Sequence, residues 1–160
     1  MRFCFIDKVE KIDKGVGITA SKGVSYAEPY LADHFPGAPI MPGAMMVEAA
    51  IEAATWLLRQ ERQFPLEDYV VEEVRQGKFS SVVRPGDVLT ISVTYDKKQD
   101  NPAVVGFRAR GTNGSDKAFS ARFSLRPQPY DQGSIAVERQ EAVLQKQKEL
   151  WSVLSAGVSD

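Results

Sequence analysis

One stretch of this chain is equipped for proton chemistry. HFPGAPIMPGAMMVEAA, residues 34–50, holds His34, the one histidine in 160 residues, and Glu48 follows it by fourteen positions. Imidazole is the side chain best matched to taking or giving a proton near neutral pH. The prolines at 36, 39 and 42 fix φ and remove N–H donors, so the loop carrying His34 has few conformations and can aim a side chain. Pro42-Gly43 stands where a helix should start. Its first N–H groups are unpaired and lie at a positive dipole end, and a glycine lets another group approach the backbone. A carbonyl oxygen gaining negative charge would be stabilised there. Glu48 lies among Met45, Met46, Val47, Ala49 and Ala50. A carboxylate on an apolar helix face needs a partner or a raised pKa, and when protonated can assist a leaving group. Each residue alone also has a plain structural reading: a hydrogen-bonded histidine, an ordinary helix start, a solvent-facing glutamate. Together His34 and Glu48 favour an acid–base pair.

The elements that must hold these groups are legible from periodicity. Residues 2–12 and 16–25 read as strands, 26–42 as a loop, and Gly43 to about Arg62 as an alanine-rich helix ended near Pro65. Strand signals follow at Tyr69–Val74, Lys78–Val83, 88–95, 103–110 and 117–126, with Asn113-Gly114 as a hairpin turn. Residues 127–135 read as a linker. From Val137 to about Leu154 the chain reads as an amphipathic helix with Val143, Leu144, Leu150, Trp151 and Leu154 as its apolar points. Small residues let a helix lie close to a sheet, so the expected fold class is α+β, an antiparallel sheet wrapped around one long helix. The domain reading is 1–127 for that unit and 128–160 for a linker and C-terminal helical extension.

Bulk properties exclude several classes. Net charge is −1, with 43% hydrophobic and 26% charged residues, which argues against nucleic acid as partner. The apolar stretch Pro42–Leu58 is interrupted by Glu48 and Glu52, so no membrane insertion is expected. One cysteine, Cys4, precludes an internal disulfide and, with no secretory signal read at the N-terminus, favours a cytoplasmic setting. Its apolar run F-C-F-I places it in the core.

The segment 34–50 resembles the active-site motif of the FabZ-type 3-hydroxyacyl-[acyl-carrier-protein] dehydratases, H-F-P-x-x-P-x-x-P-G-x-x-x-x-E-A, at every fixed position. Phe5–Val9, Glu28-Pro29, Lys78-Phe79, Val82-Val83 and Pro85-Gly86-Asp87 are similar to that family as well. The resemblance covers residues 3 to about 126 and implies the hot-dog fold. It implies loss of water from a 3-hydroxyacyl thioester to give a trans-2-enoyl thioester. His34 would take the proton beside the thioester carbonyl, Glu48 would assist departure of the hydroxyl, and the Gly43 N–H would hold the carbonyl oxygen. Phe35, Met41, Pro42, Met45, Glu52 and Phe79 would touch substrate. No cofactor and no metal are implied, because the acyl group rides on the phosphopantetheine arm of acyl carrier protein. A homodimer or trimer of dimers follows, with histidine and glutamate of one site drawn from different subunits.

Four departures from the family pattern stand out. Glu52 replaces a glutamine one turn after Glu48, and either keeps Glu48 protonated by like-charge repulsion or is structural. The chain begins at the first strand, without the family's N-terminal helix. Glu73-Val74-Arg75 replaces Gly-x-Asp. The C-terminal helix is additional. Arg75, Lys78, Arg84 and Arg126 are candidates for a basic rim that meets an acidic carrier. A thioesterase and a non-catalytic acyl-binding subunit are the alternative readings.

Overall fold

A computed structural model describes residues 4–97, 103–129 and 137–158, with the side chains of 137 and 138 excepted. Strands β1 (Lys8–Asp13) and β2 (Gly17–Gly23) lead into a short 3₁₀ turn at Pro29–Leu31 and then helix α1 (Gly43–Glu61). Strands β3 (Glu67–Phe79), β4 (Val88–Tyr95), β5 (Val105–Asn113) and β6 (Asp116–Pro129) follow, and helix α2 (Val137–Leu154) completes the chain. The strands form a six-stranded sheet in the order β1-β2-β4-β5-β6-β3, with every neighbouring pair antiparallel.

The sheet wraps α1 because α1 offers almost no side-chain bulk on its contact stripe. Ala49, Ala50, Ala53 and Ala54 are fully buried, and the helix packs against β2 and β4. The large core side chains come from the strands and from the rest of α1, where Trp56, Leu57 and Leu58 are buried. Phe107, Phe119, Phe123 and Leu125 occupy the inward positions of β5 and β6, and Phe107 stacks on Phe123 with ring centroids 5.6 Å apart. The strict alternation expected over 117–126 is what places them there. This is the hot-dog fold, α+β as the pattern required.

Several boundaries differ from the sequence expectation. β1 starts at Lys8, and the preceding run folds as an irregular segment in which Ile6 is buried but Cys4 is exposed. Cys4 is therefore not a core residue: without strand pairing, the apolar run has no fixed inward face for it. The strand expected over Tyr69–Val74 continues through Gly77, in register opposite Ala121, to end at Phe79 as one β3 with irregularities near Glu73 and Arg75, and residues 80–83 of the second expected strand are not strand. β6 continues through Pro127 and Pro129, opposite Tyr69 and Glu67, so the first part of the expected linker is strand. The remainder of that linker lies outside the described residues.

α2 packs against the C-terminal half of α1 and against β1. Trp151 lies between Trp56 and Phe64, at centroid distances of 5.9 and 6.4 Å, and Leu154 is buried. Val143 points outward instead, and Gln140 and Gln147 are the buried residues on that part of the helix. β1 remains largely exposed, and its charged residues Lys8, Glu10, Lys11 and Asp13 discourage pairing. β3, at the opposite edge, has no further strand beside it among the described residues, and its Val71, Val74 and Phe79 are 43%, 48% and 50% exposed.

Candidate active site

The loop before α1 is pinned at both ends. At its front, the buried Lys22 ammonium lies 2.8 Å from Glu28 and 3.0 Å from Asp7. At its rear, the Met41 N–H donates to the Val83 carbonyl and the Ile40 N–H to the His34 carbonyl, at 2.8 and 2.9 Å. Burial alone would lower the Lys22 pKa, but the Glu28 and Asp7 carboxylates outweigh it and hold the pKa above the ordinary lysine value. Tyr30, in the 3₁₀ turn between Glu28 and His34, is pushed up to about 12, chiefly by burial and then by the Glu28 charge.

Both shifts act in the same direction on stability. A raised lysine pKa contributes stability that is complete below the unfolded value, about 10.4, and is lost as pH rises through the folded value. A raised tyrosine pKa means that the unfolded chain ionises first above about pH 10, which also favours unfolding. The protein should therefore lose stability steeply between about pH 10 and 12, and Lys22→Met should flatten that fall. Urea midpoints measured at pH 9 and pH 11 test this; an unchanged pH slope in the variant would remove the clamp from the account.

His34 is half-buried, and its Nδ1 lies 2.9 Å from the Ile40 carbonyl oxygen. A carbonyl only accepts, so Nδ1 carries the proton and Nε2 presents a lone pair. The ring stacks on Phe35, with centroids 4.3 Å apart across a cis peptide bond. A cleft of about 250 Å³ lies beside this loop, lined in part by Tyr26, Glu28, Leu31, Phe35 and Pro39.

At the start of α1, Pro42 occupies the N-cap position and no side chain caps the helix. The Gly43 N–H has no acceptor among the described residues. The Phe79 ring lies directly over this glycine, and a Cβ added at Gly43 would fall 2.7–2.9 Å from its atoms. Gly43 is thus required by a close approach, and Phe79 is brought from the far end of β3 to the helix N-terminus. Gly43→Ala must move that ring. We expect the variant to fold but to lose about tenfold or more in turnover, as remote misplacement at a site does. Steady-state rates on folded protein check this, and wild-type turnover would count against a role for this N–H.

The remaining expected residues fall in different places. Met41 is buried in the core, Met45 and Pro42 are half-buried, and Glu48 is exposed with no hydrogen-bond or ion-pair partner among the described residues. No hydrogen bond joins His34 to Glu48 within the chain. Glu52 has a structural engagement: one carboxylate oxygen accepts the Phe5 N–H at 2.6 Å and the other the Trp56 indole N–H at 3.4 Å. It fastens the segment before β1 to α1. Glu52→Gln removes one acceptor and should cost about 1–3 kcal/mol of stability while leaving the pH–rate profile in place. A displaced profile would assign Glu52 to the proton chemistry.

Of the expected basic rim, Arg75 is paired with Glu73 at 2.8 Å and Arg126 with Glu72 at 3.0 Å, whereas Lys78 and Arg84 have no ion-pair partner among the described residues. Among the described residues there is no cluster of three metal-ligating side chains, and no helix is long and apolar enough to cross a membrane.

Residues 1–122 match a family described as FabA-like domain. The chain belongs to this family. Among curated relatives, the 3-hydroxyacyl-[acyl-carrier-protein] dehydratase FabZ of Levilactobacillus brevis is 39% identical over 101 residues, covering 63% of this chain and 68% of the relative. The FabZ protein of Oenococcus oeni is 38% identical over 116 residues, covering 72% of this chain and 82% of the relative. Solved structures agree on the fold. The dehydratase heterocomplex ApeI:P from Xenorhabdus doucetiae aligns with a TM-score of 0.54 at 18% identity, over 70% of this chain and 88% of that one. The fluoroacetyl-CoA thioesterase FlK aligns at 0.57 and 15% identity, over 85% of this chain and 97% of that one. Those two likenesses concern the fold alone, whereas the family match runs from β1 into the first half of β6 and includes the whole His34–Glu48 segment.

Proposed function

We propose that this family member dehydrates 3-hydroxyacyl thioesters carried by acyl carrier protein, giving trans-2-enoyl thioesters for fatty acid biosynthesis. The observation that carries the mechanism is the fixed tautomer of His34: its Nδ1–H is committed to Ile40, so Nε2 is the base. Nε2 takes a proton from C2 of the substrate. The electron pair develops enolate character, and the carbonyl oxygen accepts the Gly43 N–H at the positive end of α1. Glu48 then gives a proton to the 3-hydroxyl, which leaves as water as the C2–C3 double bond forms. His34 and Glu48 return to their starting states by passing one proton back, so the cycle balances without a cofactor or metal. Phe79 and Phe35 are placed to guide the thioester.

The site is shared between two subunits in this reading. Glu48 is exposed and has no partner among the described residues, and the long β3 edge carries exposed apolar side chains suited to a second copy. A homodimer pairing through β3 brings the histidine of one subunit to the glutamate of the other. Lys78 and Arg84 remain candidates for meeting the acidic carrier protein, and the cytoplasm is the compartment in which such carriers work. The fold likeness to thioesterases does not favour hydrolysis, since it rests on low identity and the His34–Glu48 motif is that of the dehydratases. The test is conversion of 3-hydroxybutyryl-[acyl carrier protein] to the enoyl thioester. Absence of turnover by folded protein across short and long acyl chains would replace this reading with that of an acyl-binding subunit.

A further inference from the structure

The outer face of the sheet, across from α1, carries a second concentration of chemistry that dehydration does not use. A depression of about 540 Å³ there is lined by four cations, Arg108, Arg110, Lys117 and Arg122. Arg108 is paired with Asp96 at 2.9 Å, and no carboxylate pairs with Arg110, Lys117 or Arg122 among the described residues. The strand register arranges two rows. In one, Arg110 stands opposite Ser92 on β4 and Ser120 on β6. In the other, Arg108 stands directly opposite Arg122.

Like charges directly opposite on a sheet destabilise each other. The repulsion is relieved when an anion bridges them, and guanidinium groups flanked by hydroxyl donors match the geometry of phosphate oxygens. Arg108 and Arg110 are two positions apart on one face of β5, so the rows lie roughly 7 Å apart, a separation that two linked phosphates can span. A single carboxylate would satisfy only one row. A flat acidic protein surface would not fill a depression of this volume.

We propose that this face is a binding site for a small soluble molecule bearing a diphosphate group, separate from the acyl site. The proposal goes beyond the dehydratase reading and stands without it. The experiment uses the full chain with inorganic pyrophosphate as probe, titrated by calorimetry at low salt. Arg110→Ser and Arg122→Ser are compared with Lys14→Gln, an exposed cation at the β1–β2 turn. Each arginine variant should bind pyrophosphate about tenfold or more weakly, and Lys14→Gln within about twofold of wild type. Without pyrophosphate, Arg122→Ser should melt no lower than wild type, because its loss removes a repulsion. No measurable pyrophosphate binding, or equal binding by the arginine variants, would overturn the proposal. So would a face that binds only polyglutamate or only phosphatidic acid vesicles. Because the readout is binding, its failure leaves the dehydration assay untouched.

Discussion

His34→Ala should abolish dehydration, lowering kcat by about 10³-fold while KM moves little. The imidazole supplies the only base whose tautomer the fold has set, through the Ile40 carbonyl. In the proposed mechanism its deletion removes proton abstraction, whereas the Gly43 N–H and the apolar walls still bind the thioester. The fold should survive. His34 is half-buried and donates one neutral hydrogen bond, whose loss costs about 1 kcal/mol. Formation of the enoyl thioester, followed by its ultraviolet absorbance, measures the effect, and circular dichroism checks the fold. A variant that is folded and keeps a tenth of the activity would remove His34 from its assigned role.

Mixing two dead variants should restore activity. If each site takes histidine from one subunit and glutamate from the other, a hybrid of His34→Ala with Glu48→Gln has one site lacking both groups and one site intact. Random reassortment makes half of the dimers hybrids, so about a quarter of wild-type activity should return. Unfolding and refolding the two variants together, against each refolded alone, measures this. If both groups of a site came from one chain, every hybrid site would lack one of them and the mixture would stay dead. The single chain already leans toward the first outcome: Glu48 is exposed and has no partner among the described residues.

The site was legible in the sequence to the extent that it is local. His34, Gly43 and Glu48 lie within one loop–helix unit, where prolines, a helix start and a fourteen-residue spacing carry the geometry. What depends on register was not legible. Phe79 lies far from Gly43 in sequence, and only the full run of β3 against β6 brings its ring over the helix start. Arg75 and Arg126 read as free cations, yet they pair with Glu73 and Glu72, one along a strand and one across strands. Glu52 read as a neighbour of Glu48 by helical spacing, but its partners are a main-chain N–H before β1 and an indole one turn further on. Cys4 read as buried because its neighbours are apolar, and burial required a strand that begins only at Lys8. The opposed arginines of β5 and β6 could not be seen until the hairpin register was known.

The asymmetry of the two sheet margins also limits how copies can associate. At one margin α2 packs against β1 and the charges of β1 discourage pairing, whereas the thirteen residues of β3 at the other margin include exposed apolar side chains. A molecule with two adhesive margins can add copies head to tail without end and grow into a fibre. With one such margin, joined to itself about a two-fold axis, growth stops at a pair. If copies pair through β3 as proposed, removing α2 should do more than loosen the packing around Trp151: it would free the second margin and turn a self-limiting pair into a chain capable of polymerising.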